Sequence, residues 1–435
     1  MKIAIDGFAL GLREGTGLTT ATYELAQLLG AHGHEVSVIY GLNGIGTDPD
    51  LTWPLFVQTL AVRGQSRLRD WPQWGPRAAA YLLPSLARRP IGATSVRRDP
   101  AVSLPHSTAR VPAVTEIYNA PSIFQASQAF ASVFRRPLAL RRLPGVELFH
   151  RTSPLPMRMN GAANVVTVHD VIPLALPQST AINLGLYRRI MQASLKEADA
   201  LFVVSEHSKR DLLAFFDVPE ERVVVTYQAV NIPPTLRNVG AEELERRLRT
   251  NFDLAPGGYF LFYGAIEPKK NVMRILDAHA MAKHDLPLVI VGRNGWLYEQ
   301  EVGRIRALLG DPRRAGRIRR HEYLPFEHLM LLLRGARALV FPSLYEGFGL
   351  PVLEAMLMGV PVITSNSSSL PEVAGDAALL VDPCDVGQIA DAMDRLAGDD
   401  VLRASLVHRG TEQVQRFSPE QYLRRLEEGY RRALG

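Results

Sequence analysis

The sequence predicts an α/β fold in two domains, and three observations carry that prediction. Its 435 residues exceed what one ordinary core holds. Short apolar, β-branched runs alternate with helical patterns from the first residues onward, the layout of βαβ units. That alternation pauses near Asn231-Ile-Pro-Pro234, where two prolines stiffen a short connection, and resumes at Tyr259. The boundaries follow: one domain over 1–230, a second over 231–416, and a last helical segment over 417–435.

Composition narrows the class. Apolar residues make up 47% and charged residues 21%, as in soluble globular proteins. No stretch approaches the roughly 18 uninterrupted apolar residues of a spanning helix. Met1-Lys-Ile-Ala-Ile-Asp6 enters a strand directly, without a signal-peptide layout, so a cytoplasmic location is expected. Cys384 is the only cysteine, which excludes an intrachain disulfide and a cysteine metal cluster. The net charge of +5 is unevenly placed. Arg63, Arg67, Arg69, Arg77, Arg88, Arg89, Arg97 and Arg98, then Arg135, Arg136, Arg141 and Arg142, interleave with Trp71, Trp74, Tyr81, Leu82 and Leu83. Region 61–145 thus offers either a peripheral face for anionic membrane headgroups or a solvated arginine-rich insertion. Nucleic acid is not expected as a partner, because no recognised binding module accompanies the arginines.

In the first half, residues 2–6 read as a strand, Thr20–Leu29 as a helix closed by Gly30, and Glu35–Tyr40 as a second strand. The first connection carries Gly7, Gly11, Gly15 and Gly17 without a G-x-G-x-x-G pattern, and the chain has no Walker A pattern. Residues 41 to 145 show no sustained period. Order returns at Val146–His150 and at Asn164–His169-Asp170. His169 ends a β-branched run, and ligands of open α/β sheets bind off the carboxyl ends of strands, so it faces the cleft. A histidine beside an aspartate is more often a structural hydrogen-bonded pair, the alternative for His169, and His150 is read as structural. Ala200–Val204 and Val223–Thr226 complete the domain, with a helix after Ser205.

In the second half, strand Tyr259–Tyr263 leads into Gly264-Ala-Ile-Glu267-Pro-Lys269-Lys270-Asn271 and a helix from Val272. A glycine turn, two lysines and a helix N-terminus can clamp a diphosphate; the alternative is a pair of solvated turn lysines. Leu288–Val291 ends at Gly292-Arg293, a second phosphate candidate. Ala338–Phe341 is a buried parallel strand followed by a loop with Gly347 and Gly349 and a helix opened by Pro351 and closed by Gly359. Glu346 and Glu354 bracket this anion site. The helix is apolar on every side except at Glu354, a carboxylate that then needs donors such as a ribose diol, or else complements the helix dipole. Pro361–Thr364 is the next strand, Asn366–Glu372 its loop, and Phe417–Leu434 a helix.

The Glu-x7-Glu pair within FPSLYEGFGLPVLEAMLMGVPVITSNSSSLPEV resembles the signature of retaining family 4 glycosyltransferases. The resemblance implies a GT-B fold, in which two Rossmann-like doubly wound domains face a central cleft. The N-terminal domain would bind the acceptor, the C-terminal one a nucleotide-sugar, and helix 417–435 would pack back on the first domain. It assigns Glu346 and His169 to catalysis, at the transferred sugar. Donor contacts fall to Gly15, Gly17, Lys269, Lys270, Arg293, Gly347, Phe348, Gly349, Leu350 and Glu354, with Glu354 on the ribose and Tyr323-Leu-Pro near the base. Leu18-Thr19 departs from the usual sequence after the glycine pair, and Lys269 stands where an arginine fork is usual. No Asp-x-Asp ends a strand, so no metal or other cofactor is expected and the lysines, loop N–H groups and helix dipole must meet the leaving charge. No second carboxylate offers itself for a covalent intermediate, which points to front-face displacement. The segments EPKKN and HDVIPL resemble mannosyltransferases of surface polysaccharide assembly, implying GDP-mannose and a lipid-linked glycan acceptor. UDP-glucose, UDP-N-acetylglucosamine and dTDP-rhamnose stay open as donors. Two other classes compete: a GT-B UDP-sugar epimerase and a non-catalytic binding subunit, the latter disfavoured by intact Glu346, Glu354, Lys270 and His169.

Overall fold

The computed structural model describes residues 1–12, 17–43, 45, 49–62, 81, 84–87, 89–99, 111–311 and 316–435. Its first ten strands are β1 (Lys2–Asp6), β2 (Glu35–Tyr40), β3 (Thr94–Ser95), β4 (Glu116–Asn119), β5 (Leu138–Leu140), β6 (Leu148–Arg151), β7 (Met157–Met159), β8 (Ala163–Val168), β9 (Ala200–Val203) and β10 (Val223–Val225). Eight of them form one sheet in the order β10-β9-β8-β6-β1-β2-β4-β3, while β5 and β7 pair separately. Every pairing in the large sheet is parallel except β3 with β4.

The second sheet holds β11 (Phe260–Tyr263), β12 (Leu288–Val291), β13 (Ile318–His321), β14 (Ala338–Phe341), β15 (Val362–Ser365) and β16 (Leu379–Val381). Its order is β13-β12-β11-β14-β15-β16, parallel throughout. Strands are added to one side, then to the other, so the winding reverses between β11 and β14. In such sheets ligands bind outside the carboxyl ends at that reversal. The first sheet reverses between β1 and β6 in the same way. Strands β11, β12 and β14 are buried along their whole length, which is why they read as unbroken apolar runs.

Two details differ from the sequence reading. The first helix runs Gly17–Ala31 straight through Gly30, and the left-handed residue past its end is Gly33. The described residues within 41–145 include β3, β4, β5 and the helices Pro49–Val62 and Ile123–Phe134. The latter buries Ile123, Phe124, Ser127, Phe130 and Ala131, a helical spacing that prolines on either side conceal.

Helix Pro419–Leu434 leaves the second domain and lies on β8 and β9 of the first sheet. It buries Leu423, Leu426, Gly429 and Tyr430. The Tyr430 hydroxyl is 2.8 Å from His150 Nδ1, and His150 Nε2 is 2.7 Å from Thr167 Oγ1. Burial, with help from Arg151 and His169, pushes the imidazole down to about 3, so this histidine is neutral and structural. A methyl group at Gly429 would stand 2.4 Å from the Phe202 ring. An exposed helical Gly→Ala change gains about 1 kcal/mol from propensity; here overpacking of about 1–3 kcal/mol wins. Gly429→Ala therefore lowers the denaturant midpoint, whereas the propensity effect alone would raise it.

Candidate functional site

The loops after β11 and β14 meet at the reversal of the second sheet. Leu344 N donates to Lys269 O at 2.7 Å, and Asn271, left-handed at φ 63°, donates from Nδ2 to Pro342 O at 2.9 Å and Pro383 O at 2.7 Å. These bonds hold the lysine turn against the glycine loop. Lys270 Nζ sits 2.6 Å from Glu346 Oε1 and 5.0 Å from the centre of the Phe341 ring. Lys269 Nζ sits 3.4 Å from Glu267 Oε1. Both lysines are largely covered, so the solvated-turn alternative does not hold. Burial pushes the Glu346 carboxyl up, but Lys270 and Lys269 outweigh it and hold the group below its ordinary range. Burial likewise pushes Lys269 down, while Glu346, Glu267 and Asp170 together raise it. Glu346 and Lys269 thus each favour the other's charged form.

Serines fix the loop itself. Ser369 Oγ donates to Glu346 O at 3.0 Å and to Phe348 O at 2.8 Å, and Glu346 N donates to Ser368 Oγ at 3.0 Å. Gly349 is left-handed, φ 109°, and starts helix Leu350–Leu357 without a side-chain cap. A side chain there would strike Leu370 Cδ2 at 2.6 Å. Gly347 is where the domains touch: a Cβ would lie 2.3 Å from His169 O. Its carbonyl accepts from Ser205 Oγ at 2.8 Å and Ser208 Oγ at 3.0 Å, both in the first domain. Phe348 is buried between Tyr227 and Phe417, centroids 6.3 and 5.6 Å away.

On the first-domain side, His169 Nε2 is 3.0 Å from Thr152 O and Nδ1 is 3.2 Å from Gln228 Nε2. A carbonyl only accepts and an amide nitrogen only donates, so Nε2 carries the proton. Burial lowers the pKa of this histidine, in keeping with the neutral ring. Thr152 is held in turn by Asp6 at the end of β1, which accepts from its N–H at 2.5 Å and its hydroxyl at 3.0 Å. Burial raises Asp6 to about 6 despite these bonds. Thr22 Oγ1 donates to Thr152 Oγ1 at 3.1 Å, which ties the helix begun by Gly17 to the same cluster.

Glu354 is the only residue between Val352 and Met356 that is not fully buried. One of its oxygens accepts a hydrogen bond from the hydroxyl of Tyr263, at the end of β11. Burial raises Glu354 and the Tyr263 bond opposes that rise. Glu24, on the first helix, feels the Glu354 charge across the domain boundary; burial first, then Glu354, push it up to about 7. Glu354 thus has the Tyr263 hydroxyl as a hydrogen-bond donor, and its charge adds to the rise of Glu24.

Glu346, Lys269, Lys270, Gly347, Phe348, Gly349, Leu350 and His169 thus converge, with Glu354 on the helix that follows. Arg293 is exposed at the end of β12, its guanidinium 4.5 Å from the centre of the Tyr323 ring. Gly15 lies outside the described residues, as do Arg63, Arg67, Arg69, Arg77, Arg88, Trp71, Trp74, Leu82 and Leu83. Sequence reasoning missed Asp6, Glu24, Thr152, Ser208, Gln228, Tyr263, Ser368 and Ser369. Only Ser205-x-x-Ser208 leaves a local trace, as a helix cap.

The sequence model of the family described as Glycosyl transferases group 1 matches residues 254–413, and that of Glycosyltransferase Family 4 matches residues 77–232. The chain is 37% identical over 271 residues to the O-antigen chain mannosyltransferase B of Escherichia coli, an alignment covering 61% of this chain and 69% of that protein. It is 30% identical over 261 residues to the serotype-specific mannosyltransferase WbdA of Escherichia coli, covering 58% of this chain but 31% of that protein. In structure it is similar to sucrose-phosphate synthase from Thermosynechococcus elongatus, with a TM-score of 0.66, 18% identity and coverage of 99% and 98% of the two chains. The fold is accordingly GT-B.

Between the ordinary glutamate range and about 7, the folded chain keeps a proton on Glu24 that the unfolded chain has lost. Stability falls as pH rises through that window, and the loss is complete above it. Glu24→Gln removes the cost: unfolding by denaturant gives a gain of about 1–3 kcal/mol near pH 8 and none near pH 4.

Proposed function

This chain belongs to the family 4 glycosyltransferases, and from that premise we propose that it moves a mannosyl group from GDP-mannose onto a lipid-linked oligosaccharide or polysaccharide, with retention and without a metal. The observation that carries the reading is the Lys270–Glu346 ion pair, 2.6 Å long, at the mouth of the Gly347–Gly349 loop where the second sheet reverses. Lys269, Lys270 and the N-terminus of helix Leu350–Leu357 form a cationic wall for the diphosphate. Glu346 takes the hydroxyls of the sugar, and Glu354, already bonded to Tyr263, takes those of the ribose. The exposed Arg293–Tyr323 pair offers a flat surface to the base. Mannosyl transfer is favoured over glucosyl or rhamnosyl transfer because both Escherichia coli relatives are named mannosyltransferases.

In the reaction the C1–O bond to the diphosphate breaks and the leaving oxygen keeps the electron pair. The acceptor hydroxyl attacks C1 from the same face and passes its proton to that phosphate oxygen. Lys270 and Lys269 stabilise the charge that grows on the diphosphate, and Glu346⁻, held ionised by those lysines, stabilises the oxocarbenium-like centre. His169 uses its neutral ring to hold the first-domain wall in place, and its carbonyl to receive Gly347. Val133 and Phe134 are exposed and Arg135 and Arg136 directly follow them in the chain, which supports peripheral docking on an anionic membrane at its cytoplasmic face. No helix among the described residues is long and apolar enough to cross a membrane.

With GDP, UDP and dTDP tested in EDTA, GDP alone should raise the melting temperature, by the equivalent of about 2.7 kcal/mol at one hundred times its dissociation constant. GDP-mannose turnover onto a lipid-linked acceptor should fall at least 100-fold in Glu346→Ala and in Lys270→Ala. Stabilisation by UDP alone would refute the donor, and a glycosyl adduct trapped on Glu346 would refute the displacement.

A further inference from the structure

Tyr345, the residue before Glu346, reaches out of its own domain. Its hydroxyl donates to Asp211 Oδ2, and His207 Nε2 lies 2.9 Å from the same phenol oxygen. Its ring meets the His207 ring edge-on, with centroids 5.2 Å apart. His207 and Asp211 stand one turn apart on helix Glu206–Phe215, which follows β9 in the first domain. Arg210 Nη2 is 3.4 Å from His207 Nδ1. A guanidinium can only donate, so Nδ1 accepts, Nε2–H donates to the phenol, and the phenol donates to the carboxylate. The bond to Asp211 is charge-assisted, and burial together with that bond raises the phenol pKa, so the phenol keeps its proton.

The same helix grips the second domain twice more. Glu372 accepts from Glu206 N at 2.9 Å and His207 N at 3.3 Å, a cap supplied from across the boundary. Ser205 and Ser208 hold Gly347 O. One first-domain helix is therefore bonded to both loops that place Glu346, the 345–348 turn and the 368–372 segment. We infer that Asp211 is a positioning residue for Glu346, acting through Tyr345, so that the first domain must dock before the donor-binding carboxylate takes its working position. This rests on Glu346 as the donor-contacting group. Tyr345 and Glu346 share a peptide bond, so a shift of one anchors or displaces the other. A displacement of about 1 Å at a reacting centre costs about 100-fold in rate.

The test uses the full chain without ligand, and then with GDP-mannose. Amide exchange over residues 343–350 is compared in wild type, Tyr345→Phe, Asp211→Ala and the double variant; Tyr345→Phe keeps the ring contact with His207. Either single change should speed exchange about tenfold, and the double no further than Tyr345→Phe, because the phenol–Asp211 bond is already lost in each single variant and Tyr345→Phe also loses the His207 bond. Turnover should fall about tenfold with the donor KM near wild type, and Asp211→Asn, which still accepts from the phenol, should recover part of it. Unchanged exchange, effects that multiply in the double variant, or lowered melting temperature with unchanged kcat would each overturn the inference. A wild type inert toward every sugar-nucleotide, with the exchange pattern intact, would refute the proposed reaction while upholding the Asp211–Tyr345–Glu346 coupling.

Discussion

The carbonyl of His169 lies where a side chain at position 347 would begin, 2.3 Å from the place of its Cβ. Only glycine lets the two domains approach this closely, and the candidate site is arranged around the contact. On one side stand His169, Thr152 and Asp6, gathered where the first sheet reverses. On the other stand Glu346 and the lysines, gathered where the second sheet reverses. Each Rossmann-like half brings its own switch point, and the crossing helix Pro419–Leu434, bonded to His150 through Tyr430, ties the halves together again.

Burial makes the charges in this contact depend on one another. Glu346 on its own would be driven toward its neutral form; Lys270 at 2.6 Å and Lys269 nearby keep it ionised. Removing one member leaves an unpaired buried charge, which costs more than the pair contributes. Glu354 and Glu24 are the opposite case, two carboxyls that burial raises. Among the described residues Tyr263 donates a hydrogen bond to Glu354, which opposes the rise that burial causes.

Much of this was legible in the sequence because it is local. Unbroken apolar runs such as Leu288–Val291 announce parallel strands, and glycines at their ends announce ligand loops. Glu346 and Glu354 fall within one loop-and-helix unit, as do Lys269 and Lys270 in their turn, so spacing alone brings them together. The illegible part consists of partners far apart along the chain. Asp6 with Thr152, Glu24 with Glu354, Tyr263 with Glu354 and Gly347 with His169 exist only once the sheets are stacked and the domains docked. Helix Ile123–Phe134 was hidden for a simpler reason: Pro121 and Pro137 frame it, and its twelve residues read as another broken stretch. Gly30 misled in the reverse direction, because burial of Leu25, Ala26 and Leu29 carries the first helix past it.

The contact at Gly347 is open to direct measurement through kcat of Gly347→Ala with GDP-mannose and a lipid-linked acceptor. A methyl group there collides with the His169 carbonyl, which is backbone and cannot swing aside. A centre assembled at this contact predicts a folded protein that still binds GDP on its second domain and loses about 100-fold or more in kcat. A kcat within a few-fold of wild type would mean that the chemistry proceeds without this contact, and would contradict the interdomain site.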